Sequence, residues 1–442
     1  MRLLAILCLL SCSEAQSETE TETEAETEAE TEAEVESEAE PGSTEDDPLA
    51  GLDDIGALDD EVPDPALPNV SVATVQAAVP ARGCATFGEQ ATRLWPRSGP
   101  ANVVAVGEDG FVAAGYSAKD GGAGEEVWAV RVKPGAAPSL LLRDDLEHAL
   151  SVARSAAPGL GRVDAGHVGL VTVDGSANVR MNVVHTGGRV ETWRQVGNAA
   201  DQRFTPAFAV RGNYQYVTYT EGRSEGMRTH AIAFDPNGRV VRRYDLTPEG
   251  SGATAAAFVD GASDLLFVDP REAVSPMMRV SLDDGAGEAS VLLPLSNVFE
   301  PVVLAPVKVG ERYLVGYTAM GMAAATAVGL VAIQGDQSHG PVPLVPSSGY
   351  GFLHVSGAAA ASRAVFVADR PKARERDAPR EVIAIVVDPT EANMQIGAPK
   401  VLTTPDETAR WARIARHGSG TYAVVMTGGD GVYAHFLRCD EG

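Results

Sequence analysis

Val103-Val104-Ala105-Val106, a tight Gly107-Glu108-Asp109-Gly110 turn and Phe111-Val112-Ala113-Ala114-Gly115-Tyr116 read as two short strands folded back on each other. β-Branched and small residues suit a pleated, buried surface, and a turn built from Gly and Asp reverses the chain cheaply. The same texture recurs at 163–173, 207–219, 255–268, 302–317, 353–368 and 412–426. Taking Tyr116, Val173, Tyr219, Val268, Tyr317, Ala368 and Met426 as markers, the spacings are 57, 46, 49, 49, 51 and 58 residues. Each pair leads into a third strand, such as Val127–Val132, Arg228–Phe234 or Glu381–Val387. A fourth follows in six of the units, as at Arg189–Val196, Arg239–Leu246 and Lys400–Thr403.

Four strands repeated at about 50-residue intervals resemble a β-propeller, in which radial repetition leaves only short, protected edges. The expected fold is all-β: a seven-bladed β-propeller of four-stranded blades over residues 82–442. Ala-rich first strands (Ala255-Ala256-Ala257-Phe258, Ala207-Phe208-Ala209-Val210) fit inner strands crowded at an axis. A pair of β-sandwiches would share the short alternating strands and stands as the alternative. The chain ends speak for the ring. The last unit stops after its third strand, Gly431–Cys439, while a spare strand stands at the front, between Arg82 and Trp95. If that strand supplies the missing outer edge, both termini build the seventh blade. Cys84 and Cys439 then fall one on each partner strand, where oxidising surroundings suit a disulfide; a free pair is the alternative.

The rest of the chain reads as an address and a tether. Arg2 precedes an apolar run, Leu3 to Ser11, of roughly 13 Å as a helix, too short to cross a bilayer. Leu9-Leu10-Ser11-Cys12 resembles the lipobox of bacterial lipoproteins. The resemblance implies a signal peptide over 1–11, lipidation of Cys12 and anchorage in the cell envelope, with Ser13 at the next position fitting the outer membrane. From Glu18 to Glu40 every second residue is glutamate, and residues 13–81 hold 22 acidic residues and no Lys or Arg. Such a segment cannot bury enough apolar surface to offset its ordering entropy, so 12–81 is expected to be a disordered, self-repelling stalk. The net charge of −26 therefore sits almost wholly in the stalk, and residues 82–442 carry only −5. Neither part has the basic character that nucleic acid demands.

No catalytic signature stands out: there is no nucleophile elbow, zinc-protease motif, phosphate loop or dinucleotide fingerprint, and no cofactor or metal is expected. The eight histidines are scattered without ligand spacing, and His230 and His435 fall in third strands, where packing or exposure is expected. Ser281-Leu282-Asp283-Asp284-Gly285 begins like the Asp-box of sialidase-type propellers but lacks its Trp, and reads as a polar turn. Two features point to binding. The connection from Asp369 to Arg380 holds Arg370, Lys372, Arg374, Arg376 and Arg380 in a nearly neutral domain, on the face where propeller loops gather. Phe204, Phe299, Phe352 and Trp411 precede first strands, where they either line a ligand funnel or wedge between blades. The expected function is that of a membrane-tethered binding or scaffolding module taking a protein or glycan on one face. The rivals are an extracytoplasmic hydrolase or lyase using loop carboxylates, and a purely structural envelope component. Converging Asp, Glu or His side chains at the axis mouth would favour the enzyme, and small apolar residues there the binder.

Overall fold

The computed structural model describes residues 84–97, 99–107, 110–119, 125–146, 157–174, 178–198, 205–221, 228–247, 255–269, 276–282, 288–293, 301–320, 326–345, 354–373, 378–389, 394–403 and 407–439. Cys12 and the acidic stretch lie outside them. The described residues form seven antiparallel sheets with no helix. Within the first five, strand order follows chain order: blade 1 runs from Ala101–Val106 through Ser139–Leu146, blade 2 from Gly159–Arg162 through Val190–Asn198, blade 3 from Ala207–Arg211 through Val240–Asp245, blade 4 from Ala256–Phe258 through Ala289–Leu293, and blade 5 from Pro301–Val309 through Gln337–Val345. Blade 6 runs Val355–Ala359, Ala364–Pro371, Arg380–Pro389, and its outer position is shared by two short strands, Met394–Ile396 and Lys400–Val401. The fourth strand expected at Lys400–Thr403 is thus only half of that edge.

Blade 7 confirms the join. Arg410–Arg416, Thr421–Thr427 and Gly431–Cys439 are completed by the N-terminal strand Cys84–Pro96, whose Cys84 pairs with Cys439 in register. The two cysteines form a disulfide across a sequence separation of 355 residues. By the chain-entropy model, closing so long a loop contributes roughly 5 kcal/mol. Trp95 of the added strand is buried against blade 1, and Thr427 Oγ1 donates to the Gly99 carbonyl at 2.6 Å.

The core is divided among blade interfaces rather than gathered in one mass. Seven apolar clusters each join two consecutive blades: 1 to 2, 2 to 3, 3 to 4, 4 to 5, 5 to 6, 6 to 7 and 7 to 1. The last of these closes the circle. Second strands are sandwiched on both faces, and Thr421–Thr427 and Asp264–Val268 are buried at every position. Outer strands face water, leaving Val240 and Val291 each 61% exposed. One correction concerns blade 2, whose first strand is Gly159–Arg162, upstream of the expected start at 163. Its glycines are required by packing: a Cβ on Gly169 of the next strand would lie 2.3 Å from the Phe208 ring, which blade 3 presses into that notch.

Candidate functional site at the propeller axis

First strands surround the axis, and all seven blades contribute to a cavity of about 540 Å³ there. Its walls are unequal. Blades 2 to 5 supply Leu160, Ala207, Ala256, Phe258, Val303 and other small or apolar residues. Blades 6 and 7 supply His354, Asp369, Arg380, Arg410, Trp411 and Arg413. These polar groups gather where first strands begin, the end that also receives the connections from second to third strands.

Asp369 organises the polar wall. It ends the apolar part of its strand, is 0% exposed, and accepts hydrogen bonds at both oxygens. The His354 amide donates to Oδ1 at 2.6 Å and the Trp411 amide to Oδ2 at 3.0 Å. The Arg380 Nη2 stands 3.4 Å from Oδ1, and the His354 Nδ1 3.6 Å from Oδ2. Burial opposes ionisation of Asp369, but the His354 side chain, the Arg380 guanidinium and the His354 amide outweigh it and hold the carboxyl below its ordinary range. His354 goes the other way: burial, aided by Arg413 and Arg380, lowers its imidazole more than Asp369 lifts it. The pair is therefore carboxylate and neutral imidazole at pH 7.

Trp411 is bent to serve this arrangement. Its φ is +56°, a left-handed conformation that bulky residues avoid, and the ladder to the second strand is broken between Arg410 and Arg413. The bend aims the Trp411 amide at Asp369 of the neighbouring blade, sets its ring edge-on to His354 at 6.2 Å, and stacks Arg410 over it at 4.1 Å. Arg413 reaches across the same interface and donates to the Val355 carbonyl at 3.3 Å. Burial lowers the guanidinium pKa of Arg413, which Asp369 only partly offsets; for Arg410, burial acts first and Arg380 adds repulsion. Arginine keeps its charge regardless. Three cations thus face one carboxylate in a cavity.

The opposite end is closed by Asp260 of blade 4. Its amide donates to Pro306 O at 3.0 Å, its carbonyl accepts from Lys308 N at 2.8 Å, and its Oδ2 accepts from the Ala359 amide at 2.6 Å. Asp260 therefore ties blades 4, 5 and 6 under the cavity as a floor.

Of the residues singled out in the sequence, Arg380 and Trp411 stand in this wall. Arg370 is instead engaged with Glu381 at 2.7 Å, and Lys372 donates to the Glu407 carbonyl at 2.5 Å, so neither lines the cavity. Arg374, Arg376, Phe204, Phe299 and Phe352 lie outside the described residues, as do Asp283, Asp284 and Gly285. His230 sits in a separate polar cluster of blade 3, between Glu221 at 2.9 Å and Asp245 at 2.7 Å. No group of three metal-ligating side chains occurs among the described residues. Arg410 and Arg413 belong to no motif in the sequence, and the first strands of other blades also carry basic residues, such as Arg162, Arg211 and Lys308.

No protein-family model matches the chain, and no curated protein sequence matches it. Solved structures do resemble it. The β-propeller domain of the Trilobed protease from Pyrococcus furiosus shares 10% identity over 80% of this chain and 99% of that one, with a TM-score of 0.44. The N10 neuraminidase-like protein of A/little yellow-shouldered bat/Guatemala/060/2010 shares 10% identity over 63% and 93% of the two chains, with a TM-score of 0.44. A leech intramolecular trans-sialidase shares 10% identity over 80% and 70%, with a TM-score of 0.42. A protease domain and sialidases alike stand at this distance, and a likeness of this degree concerns the fold only.

Proposed function

We propose that this protein is an extracytoplasmic binding module, lipid-anchored at Cys12 and held off the envelope by its acidic segment, whose ligand enters the axial cavity from the arginine-bearing mouth. The observation that carries the reading is the placement of the cavity's two carboxylates. Asp369 is bonded to the amide of His354 and Asp260 to that of Ala359, five residues further along one extended strand. At about 3.3 Å per residue those amides are on the order of 16 Å apart. Glycoside cleavage by paired carboxylates needs them about 5–9.5 Å apart, with a proton free to move on one. Asp369 and His354 do converge at the mouth, the arrangement that would favour an enzyme, but both are buried, and Asp369 is bonded at both oxygens, which suits a counter-ion better than an acid or nucleophile.

Two measurements test this reading. Full-length protein extracted in detergent should release no product from a panel of chromogenic glycosides, esters and peptides; turnover that vanishes on Asp260→Asn would overturn it. Cys12→Ala should move the protein from the membrane to the soluble fraction, and unchanged fractionation would remove the anchor from the proposal.

A further inference from the structure

Resting on that reading, we infer that the ligand is a small organic anion, a carboxylate or phosphate monoester, whose charged group docks on Arg380, Arg410 and Arg413. Its uncharged body would lie across the small-residue strands of blades 3 to 5.

Charge balance comes first. Arg380, Arg410 and Arg413 line one wall of the cavity beside Asp369, a carboxylate that already accepts from two backbone amides. Neighbouring like charges repel, an anion set between them relieves that repulsion, and planar guanidinium forks match carboxylate and phosphate oxygens. His354 adds no negative charge to the wall, and the remaining carboxylate, Asp260, belongs to the floor. An incoming anion would meet guanidinium donors from two blades on one wall.

Backbone strain points to the same spot. A tryptophan held at φ +56° costs stability, and such costs gather where a site is being built. Here the bend lies between Arg410 and Arg413, both of which line the cavity, and is locked by the Trp411 amide on Asp369. Without that bend an inner strand would turn its alternate side chains towards neighbouring blades, as the first strands of the other blades do.

Size and lining then bound the ligand. A cavity of about 540 Å³ falls in the range that encloses small organic molecules, well beyond an inorganic ion. The wall facing the arginines offers Ala256, Ala257, Phe258 and Val303 and, among the described residues, no charged side chain above the floor's Asp260, which accepts an uncharged body. The positive wall and the neutral wall fix the orientation of the guest.

The test is calorimetry and thermal denaturation of the detergent-extracted full-length protein with four probes: hexanoate, hexyl phosphate, hexan-1-ol and hexyl glucoside. Hexanoate, hexyl phosphate or both should bind and raise Tm saturably, and which of them binds more tightly tells carboxylate from phosphate recognition. Hexan-1-ol should bind at least tenfold more weakly. Arg413→Met should cut affinity for the anion tenfold or more while the Cys84–Cys439 bridge and blade 2 remain native. Arg410→Met, at the exposed rim, should give a smaller loss and guards against a misfolded Arg413 variant. Preferential binding of hexyl glucoside would overturn the anion inference yet leave a binding module. Failure of both anions to bind, or equal binding in both arginine variants, would overturn it too. Cleavage of a probe would instead defeat the binding reading itself.

Discussion

Blades 2 and 6 place the same residue at the same point of the fold. Asp174 follows Val173 at the end of one second strand, and Asp369 follows Ala368 in the other. Both are buried, at 4% and 0% exposure. Asp174 has close partners in its own hairpin: it accepts from the Asn178 amide at 2.9 Å, from Asn178 Nδ2 at 3.1 Å, and pairs with Arg180 at 2.5 Å. All those partners lie within six residues, so the carboxylate pins its own hairpin connection. Asp369 accepts instead from residues 15 positions before it and 42 positions after it. One aspartate closes a turn; the other clamps two blades and holds an arginine wall. The difference lies in what stands nearby, since no asparagine amide caps the longer connection of blade 6 and a bent strand of blade 7 offers its own amide.

That contrast can be broken by substitution. Asp369→Asn should remove the buried charge that faces Arg380 and Arg413 and cost about 3–5 kcal/mol in urea unfolding. A cost no larger than that of Asp174→Asn would mean the two aspartates do the same job. Removing the disulfide by Cys84→Ala with Cys439→Ala should cost about 2–5 kcal/mol, concentrated in blade 7. Hydrogen exchange should then speed up at the Trp411 amide and remain unchanged at the Asn178 amide; equal acceleration at both would deny any special link between blade 7 and the clamp. Asp174→Asn itself should cost about 1–3 kcal/mol, from the Asn178 hydrogen bonds and the ion pair to the partly exposed Arg180.

The smallest effect concerns pH. His354 titrates below its ordinary value when folded, so the unfolded chain binds the extra proton first. Stability from this group is complete above about pH 6.5 and declines as pH falls below that value. His435 is lowered too, by burial, and adds to the same slope. Replacing His354 by Gln should flatten the decline between pH 7 and pH 5 without abolishing it, as read from Tm against pH. A steeper slope in the variant would reverse the assignment of His354 as a neutral, buried ring.

Much of the ring was legible in the residues themselves. The Val103–Tyr116 texture, the missing edge after Cys439 and the spare strand at Cys84 led to a closed propeller because strand pattern and turn chemistry are local properties. Gly159-Leu160-Gly161-Arg162 escaped because it has the composition of a turn; it is a strand only because blade 3 packs Phe208 against its glycines. The site was harder to read. Arg380 and Trp411 stood out by composition, but Arg370 beside them is engaged by Glu381 on the adjacent strand, a pairing set by register. Asp369 looked like the first residue of a polar connection, and Arg413 like any strand arginine. What makes them a site is a contact between blades, and contacts between blades leave no local pattern.

The cystine at the outer edge of blade 7 has a mechanical meaning. Tension reaching the domain from residue 83 meets Cys84 first, where the bridge to Cys439 is the opening rung of the ladder. A strand tugged from its end would otherwise peel rung by rung, each hydrogen bond yielding alone. With a covalent rivet at that end, the load passes straight into the strand that carries Leu437 and Phe436 in the interior. A pull on that end therefore loads the interior of blade 7 before it can open the seam.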